Sequence, residues 1–174
     1  MRSTSIPIRA KDVGLTDPRA PVSDAFTSAS YSMRSRFNMA TTLFHMIPGA
    51  PDPVAPFSHA VESDGWVFVT GQMPFSGQGL DSSYPDGIDA QTRQVMTNLA
   101  TVLGGCGLGL EHVVQVRVYL TQFARDYEAM NTAYASYFAP GKRPARTCIG
   151  VTGLAKDALV EIDLVARRPT AVTV

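Results

Sequence analysis

The chain has 174 residues, 15 Lys/Arg against 15 Asp/Glu and 45% apolar side chains, which suits one domain with a buried core. Residues 1–48 carry six basic and three acidic side chains, whereas residues 49–174 carry nine and twelve. The globular part is therefore mildly acidic, unlike a nucleic-acid binder, and no apolar run approaches the length of a membrane span.

Residues 1–48 are rich in Ser, Thr, Arg and Pro without a sustained period, so a largely disordered extension is expected. Asp12, Asp17 and Asp24 fit an organelle transit peptide poorly; an upstream start, with Met39 or Met46 as the natural beginning, is the simpler reading. Residues 49–170 read as one domain and 171–174 as a tail. Ser58–Val61 and Trp66–Thr70 are strand-like, and Glu62-Ser63-Asp64-Gly65 between them is a hairpin turn. Phe75 to Gly87 is a loop. Asp89 is placed to cap a helix reaching about Leu103, with Val95, Met96, Leu99, Val102 and Leu103 on one face, stopped by Gly104-Gly105.

Val114–Leu120 alternates as a half-buried strand. A second helix is expected from Asp126 to about Phe138, ended by Ala139-Pro140-Gly141. Two strands close the domain, one around Arg143-Pro144-Ala145-Arg146-Thr147-Cys148-Ile149 and one over Leu159–Val165. The order β-β-α-β-α-β-β predicts an α+β fold with two helices on one face of a mixed sheet. Cys106, Cys148, His45, His59 and His112 are scattered and form no ligand spacing, so no metal is expected. Two distant cysteines and no secretory signal suggest free thiols in a reducing, cytoplasmic setting.

Paired as a hairpin, the closing strands can bring Arg146 and Glu161 to the same end of the sheet. A planar cation that grips a carboxylate, beside a group that handles water, is what hydrolysis of a small charged acid requires.

Five motifs in order carry a resemblance: Ala55-Pro56-Phe57-Ser58, Thr70-Gly71-Gln72-Met73-Pro74, Gln91-Thr92-Arg93-Gln94-Val95, Asn131-Thr132-Ala133-Tyr134, and Arg143 to Cys148 continuing to Ala158–Ile162. Over about residues 54–168 the chain resembles the Rid family of reactive-intermediate (enamine/imine) deaminases, or YjgF-type proteins. The resemblance implies a chorismate-mutase-like protomer and a homotrimer with clefts between subunits. It also implies hydrolysis of 2-aminoacrylate-like enamines or imines to a 2-oxo acid and ammonia without a cofactor. Some relatives act on 2-aminomuconate or on the aminoacrylate of pyrimidine breakdown, and others have reported ribonuclease or translation-inhibitor activity.

By that resemblance Arg146 clamps the substrate carboxylate; the alternative is a surface arginine in an ion pair. Glu161 positions or activates water, or else forms an interface salt bridge. The Cys148 backbone carbonyl holds the water, while its thiol serves as a small buried hydrophobe. Thr70, Gly71 and Gln72 line the cleft, or simply end a strand, and Asn131 lies near the site or on an exposed helix face. Phe57 stands where many relatives have tyrosine, which removes a hydroxyl and leaves the substrate open. His59 is structural, or an acid replacing that tyrosine. Arg143 and Lys142 steer anions or are solvated loop charges. Two other functions stay in view: a non-catalytic carboxylate-binding or chaperone-like trimer, and an RNA-cleaving module, which the acidic balance disfavours.

Overall fold

A computed structural model of the chain describes residues 41–77 and 83–170. Its strands are β1 (Leu43–His45), β2 (Ala60–Ser63), β3 (Trp66–Gln72), β4 (Val113–Leu120), β5 (Ala145–Gly150) and β6 (Val160–Arg167), and its helices are α1 (Ile88–Gly105) and α2 (Phe123–Ala135). The order within the single sheet is β1-β2-β3-β6-β4-β5. All neighbours run antiparallel except β4 and β5, which are parallel because α2 carries the chain back between them. The expected α+β layering is what forms.

Local chemistry explains the elements. Ser63 pairs with Trp66, and Asp64 and Gly65 between them have φ of 53° and 73°. This two-residue Asp-Gly turn matches the twist of its strands. Helix α1 buries Val95, Met96, Leu99, Val102 and Leu103, the stripe expected from the 3.6-residue period. Along β6, Val160, Ile162, Leu164 and Ala166 are buried while Glu161, Asp163, Val165 and Arg167 are half-buried. α1 packs over β3 and β6, and α2 over β4, on this buried face.

The opposite face carries exposed Phe44, Trp66, Phe68 and Ile149. The pairing of Phe44 with Val61, Val61 with Phe68, and Phe68 with Val165 makes one apolar row across the sheet. No described element covers it.

Several sequence expectations need correction. The ordered domain begins before residue 49: β1 pairs with β2, and Ile47 is buried against Gly105, where any β-carbon would collide with it. Residues 1–40 and 171–174 lie outside the described residues. Asp89 does not cap α1. Gly87 holds that position, and Asp89 inside the first turn pairs with Arg93 at 2.8 Å. α2 runs Phe123–Ala135 rather than Asp126–Phe138: Gln122 holds the N-cap position, and Asp126 lies inside the helix, paired with Arg125 at 2.7 Å. The closing strands are not a hairpin, since β4 lies between β5 and β6.

His59 is structural. Its Nδ1 accepts from the Ile47 amide at 2.8 Å, and its Nε2–H donates to the Pro51 carbonyl at 2.9 Å. With the ring 3% exposed, both nitrogens are spent on holding the chain that links β1 to β2, which leaves none to act as an acid. His59→Ala should lower the unfolding free energy by about 1–3 kcal/mol, the cost of stranding a buried amide or carbonyl. Urea unfolding at fixed protein concentration should show a lower midpoint with an unchanged slope.

Candidate functional site

Arg146 enters through β5, the last strand of the sheet. Its register partner is Val116, which is buried, so Arg146 points to the helix side. There its guanidinium lies 4.8 Å from the centre of the Tyr134 ring. Tyr134 and Asn131 are three residues apart on α2, on one helix face. Among the described residues, buried Tyr134 Oη and Asn131 Oδ1 have no hydrogen-bond partner. With Ala135, Arg143 and Pro144 these residues line an open depression of about 440 Å³. Arg146 is in no ion pair or hydrogen bond among the described residues, against the alternative of a salt-bridged surface arginine. Burial pushes the Tyr134 hydroxyl up to about 12, with Arg146 and Arg143 opposing. It therefore stays a neutral donor next to a fixed cation, a set of groups suited to a small carboxylate.

Glu161 is elsewhere. It pairs with Tyr119 on β4, and side chains of paired residues share a face, so it lies on the uncovered side. The β3–β6 ladder shifts between Val69 and Gln72, and at this bulge the backbone of Gly71 meets the Glu161 carboxyl. A β-carbon on Gly71 would fall inside that carboxyl, so the glycine makes room for a side chain of its own chain. Burial, then the charge of Asp163, raises the Glu161 pKa. Asp163 itself is held by Arg117 at 2.8 Å and by the Tyr119 hydroxyl at 3.1 Å. Glu161 has no such partner among the described residues.

The other expected residues gather near Gly71. Thr70 donates its hydroxyl to the Ser58 carbonyl at 2.7 Å, and buried Gln72 donates its amide to the Thr70 carbonyl at 3.0 Å. Phe57, Gly71 and Gln72 border a hollow of only about 20 Å³ with His59, Met73 and Phe75. Cys148 sits two residues from Arg146 on β5 and pairs with Val118. Burial raises its thiol pKa against the pull of Arg146, which keeps it protonated and a poor nucleophile.

Two groups result. Asn131, Arg146 and Cys148 belong to the helix side, while Phe57, Thr70, Gly71, Gln72 and Glu161 cluster about the bulge. The expected meeting of Arg146 and Glu161 within one sheet end does not occur. β4 separates their strands and the pleat sends them to opposite faces.

Sequence reasoning missed Tyr134 as a lining residue, although its spacing from Asn131 was the available signal. It also missed Tyr84, whose hydroxyl donates to the Ala155 carbonyl at 3.2 Å. Burial and the charges of Glu161 and Asp157 raise the Tyr84 pKa. Nothing local in a Gly/Ser-rich loop marks that residue. Among the described residues no set of three or more His, Cys, Asp or Glu side chains gathers as for a metal ion, and no helix is long and apolar enough to cross a membrane.

Comparison with known proteins gives a consistent result. A family profile described as Endoribonuclease L-PSP matches residues 48–168. A RutC family protein of Synechocystis is 40% identical over 121 residues, covering 70% of this chain and 92% of its own. A solved member of the conserved Rid protein family from Yersinia pestis superposes with a TM-score of 0.67 at 30% identity, covering 74% of this chain and 100% of its own. E. coli TdcF, solved with bound serine, gives a TM-score of 0.64 at 26% identity, covering 69% and 94%.

The raised Glu161 pKa has a consequence for stability. The folded chain holds that proton more tightly than the unfolded chain, so the ionised carboxylate opposes folding above the raised pKa. The penalty is relieved as pH falls through it. Glu161→Gln should therefore unfold at a higher temperature than the wild type at about pH 8, and the gap should close towards about pH 4.5. Thermal unfolding monitored by circular dichroism across that range checks this.

Proposed function

Because the chain belongs to the Rid (YjgF-type) family, we propose that it hydrolyses small enamine or imine acids to 2-oxo acids and ammonia, at sites shared between copies of a homotrimer. The observation that carries the reading is Arg146, a guanidinium without a counter-ion beside the unpaired Tyr134 hydroxyl and Asn131 carbonyl oxygen. The serine bound by TdcF agrees with a small carboxylate ligand.

In this mechanism the Arg146 fork grips the substrate carboxylate. A water held by the Cys148 carbonyl and by Glu161 attacks the imine carbon. Its oxygen bonds to carbon, the C=N π pair moves to the protonated imine nitrogen, and one water proton goes to Glu161. The carbinolamine then collapses: Glu161 returns that proton to nitrogen, the C–N pair leaves with ammonia as an oxygen lone pair closes the C=O bond, and the hydroxyl proton passes to Glu161, leaving the 2-oxo acid. A carboxyl with a raised pKa is suited to both halves of that exchange. Free imines hydrolyse in water, so orientation and proton transfer suffice. Phe57 contributes an apolar wall and no proton.

The faces support a shared site. Arg146 and Glu161 of one chain cannot meet, but β5 ends the sheet, so a second copy can approach Arg146 past an open edge and present its own Glu161. The apolar row of Phe44, Phe68 and Val165 supplies surface for such an assembly. The acidic balance of residues 49–174 speaks against RNA as the substrate.

The test is release of ammonia and 2-oxo acid from 2-iminopropionate generated in situ. Arg146→Ala should lower kcat/KM by roughly 10- to 150-fold, the worth of a charge-assisted bond. No acceleration by the wild type would overturn the reading in favour of a carboxylate-binding protein. Glu161 works as a base only when ionised. Wild-type kcat/KM should thus fall on the acid side, with a pKa above the ordinary carboxylate range, and Glu161→Gln should lose that limb in a pH–rate profile.

A further inference from the structure

The described residues include seven arginines, and five have partners. Arg93 pairs with Asp89, Arg117 with Asp163, Arg125 with Asp126 and Arg168 with Glu62. Arg167 donates to the Asp64 carbonyl and stacks on Trp66. The two that meet no carboxylate or carbonyl, Arg143 and Arg146, line the same depression. They differ in setting: Arg146 is half-buried against Tyr134, and Arg143 is exposed at the rim. Lys142 belongs to a different hollow, with Leu110, Glu111, Tyr137, Phe138 and Ala139, so the second positive charge on this wall is Arg143.

Size permits a larger acid: about 440 Å³ falls within the range of roughly 300–1,000 Å³ typical of small-molecule sites. Among the described residues neither cation meets an anion, so a ligand with two separated negative charges can engage both. Asn131 Oδ1, an unpaired acceptor, can take the N–H of an imine between them.

We infer that Arg143 is a specificity residue that engages a second carboxylate, so that the site favours imino acids with an acidic side chain, the imino dicarboxylates, over 2-iminopropionate. This rests on the deaminase reading for the reaction, though not for the binding. Its test is calorimetric titration of wild type and Arg143→Ala with 2-oxoglutarate, a 2-oxo diacid, and with pyruvate, a 2-oxo monoacid. Deaminase assays with the matching imines, generated in situ from glutamate and alanine, run alongside.

The wild type should bind the diacid roughly two- to fivefold more tightly. Arg143→Ala should lose that advantage while pyruvate binding changes less than about twofold. Equal affinity for the two acids, parallel losses in the variant, or binding of neither acid would overturn the inference. Diacid-selective binding without ammonia release from either imine would sink the deaminase reading alone. Turnover of both imines without a preference for the diacid would sink only the role of Arg143.

Discussion

β6 runs down the middle of the sheet with every second side chain fully buried, and this alternation divides the molecule. Val160, Ile162, Leu164 and Ala166 knit α1 and the inner strands into one core. The residues between them are committed to a face that carries no helix. Whatever Glu161 does, it does there. The same pleat in β5, read through its pairing with β4, commits Arg146 and Cys148 to the helix side. A one-residue slip in either strand would exchange these roles and expose the core, so the positions of the chemical groups are as strongly determined as the packing itself.

The electrostatics of the domain follow a simple partition. Most of the described arginines are used up in local pairs: Glu62 is gripped by two Arg168 nitrogens at 2.7 and 2.8 Å and approached by His45 at 3.4 Å. Asp163 is shared by Arg117 and Tyr119. Among the described residues Arg146, Arg143 and Glu161 meet no opposite charge. A guanidinium held on an aromatic ring keeps its charge and its direction, and a half-buried carboxyl near another carboxylate holds its proton more tightly. Groups left in such states at a cost to stability are candidates for function.

The bulge on β3 shows how a small backbone irregularity serves both stability and chemistry. The extra residue turns Thr70 so that its hydroxyl ties down Ser58, and it leaves Gly71 opposite Glu161 with space for the carboxyl. His59 completes the local frame by anchoring residues 47 and 51. Residues in the Thr70-Gly71-Gln72 motif thus act largely through the shape they impose.

Element types, the α+β class and the faces of α1 and β6 could be read along the chain, because hydrophobic period and turn chemistry are local properties. The Asp64-Gly65 hairpin and the buried stripe of α1 were legible for that reason. So were Arg146, Glu161 and Asn131 as residues to watch, through motif resemblance rather than spacing. Tertiary structure decided the rest. That β6 pairs with β4 rather than with β5, so that β4 separates Arg146 from Glu161, depends on pairing between strands distant in sequence. That Tyr134, a core residue, also lines a depression depends on where β5 passes. That Leu43–His45 joins the sheet depends on a histidine fourteen or more residues later and on a glycine at the end of α1. Long-range contacts of this kind leave no periodic trace in the chain, and only packing reveals them.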